Sequence, residues 1–261
     1  MNPTAKHASW IACLLCGIAF SQGSEQGGHG ASVAASEFEL VRVQYATRGG
    51  GGSRGYFNPW WAIDFPLAEQ HFLRALGRMT NVSTAPDSLS LLLTDERIFT
   101  HPFLFLQQPG KGRWRPTDQE TANLREYLLR GGFLLVDDFH GEYDWEIFQE
   151  AMRRVFPDRP IVEIPEDDPL MNVVFNVDRS TSIPGKRHLY RGAGGRTEVQ
   201  MEGPPHWRGV YDDRGRVMVA INFNIDMGDA WEHEDDPEYP LPMTAMAYKF
   251  GVNYVTYAMT H

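Results

Sequence analysis

The residues best placed to do chemistry are Asp137-Asp138-Phe139-His140-Gly141. Two adjacent carboxylates raise each other's proton affinity or demand a cation, and an imidazole two residues on supplies a proton carrier or a ligand nitrogen. Asp137, Asp138 and His140 are therefore the candidate catalytic groups. The competing assignment has one aspartate capping the next helix and the other solvated. A second segment runs from Asn222 to Glu232. Asn222, Asn224, Asp226, Asp229 and Glu232 supply only oxygen ligands, which points to calcium or magnesium rather than zinc. It is not an EF-hand, because glycine falls at the seventh place and His233 stands at the twelfth. Asn224, Asp226, Asp229 and Glu232 are the candidate metal ligands, and an Asx-rich turn that positions Trp231 is the alternative.

Trp60, Trp61 and Asp64 pair exposed aromatic surface with a carboxylate, a combination that stacks on a sugar or aromatic ligand when it is not core. With Asn222 and Trp231 they form the candidate ligand-binding set. Two further motifs fail on context. Gly50-x-Gly52-x-x-Gly55 fits a dinucleotide pattern, but Tyr56-Phe57-Asn58-Pro59 follows in place of a helix start, so no nucleotide is expected. Gly51-Gly52-Ser53-Arg54-Gly55 spells a serine-hydrolase elbow without the strand–turn–helix that the elbow requires.

These groups need elements to carry them. Phe38–Tyr45 alternates with period two and predicts a strand, and Leu67, Phe72, Leu73, Leu76 and Met79 predict a helix beginning near Asp64. Leu89–Leu93 and Phe103–Leu106 are short apolar runs, and the second reads as a buried strand. Thr117-Asp118-Gln119-Glu120 is a capping box that opens a helix ended by Gly131-Gly132. Phe133–Val136 is an apolar strand leading into Asp137, and Trp145, Phe148, Met152 and Val155 mark another helix. Apolar strands alternating with helices mean a parallel sheet covered on both faces. His206–Tyr211 and Val217–Phe223 read as an antiparallel hairpin, and Met243–Met259 as a closing helix. The fold expected is an α/β three-layer sandwich with a mostly parallel sheet, flavodoxin-like or class I glutamine amidotransferase-like, plus a C-terminal hairpin and helix.

Lys6 and His7 followed by an apolar run from Ala8 to Phe20 read as a signal peptide over residues 1–22. A Gly/Ser-rich linker follows over 23–36, and one α/β domain over 37–261. The expected location is periplasmic or extracellular, with no transmembrane segment in the mature chain. Both cysteines, Cys13 and Cys16, lie in the leader, which removes disulfides, zinc–thiolate sites and a cysteine nucleophile together. The formal net charge of −10 argues against general nucleic-acid binding, which needs a basic footprint.

Arg42-Val43-Gln44-Tyr45, Leu124–Phe133, Val136-Asp137-Asp138-Phe139, Asn222–Glu232 and Gly251-Val252-Asn253-Tyr254 together resemble a bacterial family, domain of unknown function 4159. The likeness covers nearly all of the mature chain. It implies a fold similar to the class I glutamine amidotransferase superfamily and implies no activity. Members of that superfamily often carry a cysteine nucleophile, and the mature chain has none, so amidotransferase and cysteine-peptidase chemistry do not carry over. Two functions stay open. One is a binding or scaffolding module for a polar ligand, a glycan or an envelope protein at the strand-end crevice. The other is a hydrolase built on paired carboxylates, with or without a metal. Convergence of the Asp137 and Asp226 loops on one crevice favours the hydrolase, and loops splayed to solvent favour the binding module.

Overall fold

The computed structural model describes residues 36–47, 50–51, 58–192 and 197–261. Residues 1–35, which include both cysteines and the expected signal peptide, and most of the Gly49–Gly55 loop lie outside the described residues. Seven strands form one sheet: β1 (Val41–Gln44), β2 (Leu89–Leu92), β3 (Phe103–Gln107), β4 (Phe133–Phe139), β5 (Val162–Glu163), β6 (His206–Tyr211) and β7 (Val217–Phe223). Their order is β2-β1-β3-β4-β7-β6-β5. The first five in that order run parallel, and β6 and β5 extend the sheet antiparallel.

Helices α1 (Leu67–Met79), α2 (Asp118–Leu129), α3 (Gly141–Val155), α4 (Pro169–Asn172), α5 (Met227–Glu232) and α6 (Leu241–Thr260) complete the unit. Side chains alternate across the central strands, so each strand feeds two cores. Phe103, Phe105, Phe133 and Leu135 pack with α1, α5 and α6. Leu104, Leu106, Leu134 and Val136 pack with α2 and α3 on the opposite face. That is an α/β sandwich of three layers around a mixed, mostly parallel sheet. Fully apolar strands follow from it, since neither face of the central sheet meets water.

Local signals behave as their chemistry dictates. Thr117 closes its capping box: its hydroxyl accepts from Glu120 N at 3.2 Å, and its own N donates to Glu120 Oε2 at 2.7 Å. The hairpin β6/β7 pairs antiparallel from His206↔Phe223 onward. Two elements differ from expectation. Strand β4 does not stop at Val136 but runs through Phe139, because β3 offers Gln107 opposite Asp137 and β7 offers Phe223 opposite Phe139. Asn222–Glu232 is not a plain turn. Asp226 caps a short helix by accepting from Asp229 N at 2.9 Å, a segment too short to show helical periodicity. Among the described residues, no helix is long and apolar enough to cross a membrane.

Candidate functional site

The carboxyl ends of β3, β4 and β7 lie side by side and deliver Gln107, Asp137, Asp138, Asn222 and Asn224 to one crevice. The connection after β1 adds Asp64, and the α5 cap adds Asp226 and Asp229. Parallel sheets place ligands at such strand ends. The backbone is strained here. Five described non-glycine residues have left-handed φ, and four belong to this crevice: Asp64 (63°), Gln108 (52°), Asp138 (53°) and Asn224 (58°). Each costs of order 1 kcal/mol, and such strain gathers where side-chain placement matters more than backbone comfort.

Asp137 and Asp138 take different partners, because β4 bulges here: the left-handed φ of Asp138 breaks the regular pairing with β7 between Val136 and Phe139. Asp137 accepts from Asn222 Nδ2 at 3.1 Å, Met227 N at 2.7 Å and Gly228 N at 3.1 Å. Asn222 in turn accepts from the Tyr254 hydroxyl at 2.9 Å. Asp137 is thus a clasp holding the start of α5 and the middle of α6 onto β4. Burial and the neighbouring Asp138 push its carboxyl up to about 8, against those three donors.

Asp138 faces the crevice. Its Oδ1 lies 3.1 Å from His140 Nε2, and its Oδ2 accepts from Gln108 and, at 3.4 Å, from Gln107. Burial pushes Asp138 up, but the hydrogen bond and charge of His140, with Arg187, outweigh it and hold the group below its ordinary value. Burial pushes Asp64, Asp226 and Asp229 above their ordinary values, with the neighbouring aspartates adding to it. Like charges in a dry site cannot all ionise, so the cluster holds either protons or a cation.

The ligand atoms of Asp138, His140 and Asp226 all lie within 4.8 Å of one another, and so do those of Asp64, Asp226 and Asp229. Asp138, His140 and Asp226 are 1%, 4% and 3% exposed. A carboxylate–imidazole–carboxylate trio suits a divalent cation of the manganese or zinc type, and an all-carboxylate trio suits magnesium, calcium or manganese. The walls admit glycine only. A Cβ on Gly185 would sit 2.5 Å from Asp226 Oδ2, and one on Gly228 would sit 2.6 Å from Asp64 Oδ2.

The structure brings Asp64, Asp138, His140, Asp226 and Asp229 together and gives several neighbours other work. Asn222 belongs to the Asp137 clasp. Asn224 accepts from Gly141 N at 2.9 Å and donates to Pro204 O at 2.8 Å, so it pins loops instead of offering a ligand oxygen. Glu232 groups with Asp229 and His233 at the margin. Trp231 is core: it is 1% exposed and stacks on Phe72 with centroids 4.3 Å apart. It does not form ligand-facing surface. Trp61 packs on the α2/α3 core and beside Phe65, and its carbonyl accepts from Arg42 at 3.1 Å. Trp60 is half-buried in the same turn.

Sequence reading passed over Gln107 and Gln108, which end an apolar strand beside the best carboxylates and therefore carried a usable signal. It also passed over His188, whose ring lies 4.8 Å from that of His140 and which burial and His140 push down to about 4. No local pattern marks His188. A family model described as a domain of unknown function (DUF4159) matches residues 39–259. No curated protein matches the chain.

Proposed function

The chain belongs to the DUF4159 family, which leaves the reaction to be argued from the crevice, and we propose that the protein is an exported, metal-assisted hydrolase of a polar substrate. The observation that carries this reading is the trio Asp138, His140 and Asp226, three buried ligands gathered from the ends of adjacent parallel strands. A divalent cation held by Asp138, His140 and Asp226 would lower the pKa of a water and polarise a carbonyl or phosphoryl oxygen. Water adds to the electrophilic centre, its proton passes to a carboxylate, and the leaving group takes a proton from a neighbouring carboxyl. Asp64 and Asp229 lie beside the trio, and burial pushes both carboxyls above their ordinary values, which suits a group that donates a proton. The strand order supports a flavodoxin-like or class I glutamine amidotransferase-like assignment. The apolar run from Ala8 to Phe20 behind Lys6 supports export to the periplasm or beyond.

The crevice is nearly closed to solvent, and this favours a second reading in which the cation stiffens a binding module for a polar ligand, glycan or envelope protein. One experiment separates the two. The mature domain is stripped with EDTA, melted with and without manganese, magnesium or calcium, and assayed on carboxylic-ester, amide and phosphoester chromogenic substrates. At about a hundredfold over its dissociation constant, a cation adds roughly 2.7 kcal/mol to the stability of the native state. A shift abolished by Asp226→Asn, together with cation-dependent turnover, supports the hydrolase. A shift without turnover favours the binding module. No shift removes the cation from both readings.

A further inference from the structure

Two basic side chains stand at the rim of the crevice without a carboxylate to pair with. Lys111 lies in the tight turn that follows β3, where Gly112 N donates to Gln108 O at 2.9 Å. That turn is pressed onto the first turn of α3. A Cβ on Gly110 would sit 2.3 Å from Asp144 Cβ, and Asp144 Oδ2 accepts from His140 N at 3.4 Å. Lys111 is half-buried, and among the described residues it forms no ion pair and no hydrogen bond. Burial, with the nearby Arg187 charge adding to it, pushes its ammonium down. Arg187 is exposed. Its Nε donates to His188 Nε2 at 3.2 Å, and its Nη groups have no partner among the described residues. Two cations held near one another repel unless an anion stands between them.

His188 supplies an independent sign of a ligand. It is 6% exposed. Because its Nε2 accepts from Arg187, the neutral ring carries its proton on Nδ1, and that Nδ1 is buried without a hydrogen-bond partner. The His140 ring lies 4.8 Å away with its own Nδ1 unpartnered, so neither imidazole satisfies the other. A buried N–H without an acceptor costs free energy that a ligand oxygen would recover. Glu202 is exposed and brings an oxygen within 4.8 Å of the two imidazoles. Among the described residues it makes no hydrogen bond or ion pair with His188, Lys111 or Arg187, so all three stay available.

We propose that Lys111, Arg187 and the Nδ1–H of His188 form an anion subsite at the rim of the crevice that selects substrates bearing a phosphoryl group. Two cations match the charge of a phosphoryl dianion, and the guanidinium fork suits its tetrahedral oxygens. The subsite deepens the hydrolase reading and rests on it for its chemistry: a phosphoryl group held against His188 stands next to His140, a ligand of the proposed cation.

The test is calorimetric titration of the mature protein, Mn²⁺-loaded and EDTA-stripped in parallel, with inorganic phosphate and with acetate, at a pH where phosphate is a dianion. Phosphate is expected to bind the loaded protein, and acetate to bind more weakly. Lys111→Met and Arg187→Met are each expected to weaken phosphate binding about tenfold or more while circular dichroism stays native and Mn²⁺ still binds. Lys111→Gln and Arg187→Gln replace a variant that does not fold. Phosphate that binds both variants as tightly as wild type sits on the metal alone and overturns the subsite, as does a wild-type protein that binds no phosphate. Acetate bound as tightly as phosphate overturns the phosphoryl selection. If no Mn²⁺ binds, the hydrolase reading falls by itself, and the same variants decide the subsite on the stripped protein.

Discussion

At the scale of single residues, the two neighbouring aspartates take different roles because a bulge in β4, with Asp138 in the left-handed region, turns them to different partners. Asp138 meets His140 and the glutamine amides, whereas Asp137 is enclosed by donors from α5 and Asn222. The clasp makes a stability prediction. Asn222→Leu leaves Asp137 without one donor and the Tyr254 hydroxyl without its acceptor. Each orphaned buried group costs about 1–3 kcal/mol, so urea unfolding of this variant is expected to show a loss of about 2–4 kcal/mol. Tyr254→Phe removes only the distal bond and is expected to cost about 1 kcal/mol. Equal costs for the two variants would mean that Asp137 finds another partner. The pair was legible in the sequence as chemistry. Its division into clasp and crevice group was not, because strand β4 extends past Val136 only where β3 and β7 pair with it.

At the scale of elements, stability and site construction separate cleanly. The Thr117 capping box opens α2, which packs on the face formed by Leu104, Leu106, Leu134 and Val136, and none of its residues belongs to the crevice. Thr117→Ala is expected to cost about 1 kcal/mol in chemical denaturation and to leave cation affinity unchanged. A change in affinity would mean that α2 communicates with the strand ends. Helix α2 was readable because its cap and ending are local signals. Helix α5 was not, since six residues carry no periodicity and Asp226-x-x-Asp229 reads equally well as a turn. That helix nevertheless sets the site: its cap is Asp226, and its first amides hold Asp137.

At the scale of the whole molecule, the acid cluster links folding to pH. Asp137 is pushed up to about 8 from an ordinary 3.8, and Asp64 and Asp226 are pushed up as well. Between those values the folded chain keeps protons that the unfolded chain has released, so metal-free stability rises as pH falls from 8 and is lost as pH rises toward 8. Each group contributes at most about 1.4 kcal/mol per pH unit. His188 opposes the trend below 6.5: held down to about 4 in the fold, it favours the unfolded state as acid protonates it there. The interval from 8 to 6.5 is therefore the clean one. In EDTA the melting temperature is expected to rise as pH falls across that interval. Saturating Mn²⁺ is expected to flatten the slope, because ligand carboxylates that have released their protons to bind metal no longer differ from those of the unfolded chain. A flat or opposite slope in EDTA would show that the cluster is ionised without a cation.

The sequence by itself determined the pieces that depend on near neighbours: apolar strands, the capping box, the hairpin, and carboxylates following a buried strand. These follow from side-chain periodicity and from hydrogen bonds spanning a few residues. Only the tertiary structure decided the company those carboxylates keep. The order β3-β4-β7 sets Gln107, Asp138 and Asn224 side by side, although the last two stand far apart in the chain. The α5 cap then brings in Asp226, and the strained turn after β1 brings in Asp64. Whether an aspartate there holds a proton, clasps a helix or faces a cation depends on desolvation and on the charges around it, and both exist only once the sheet is assembled.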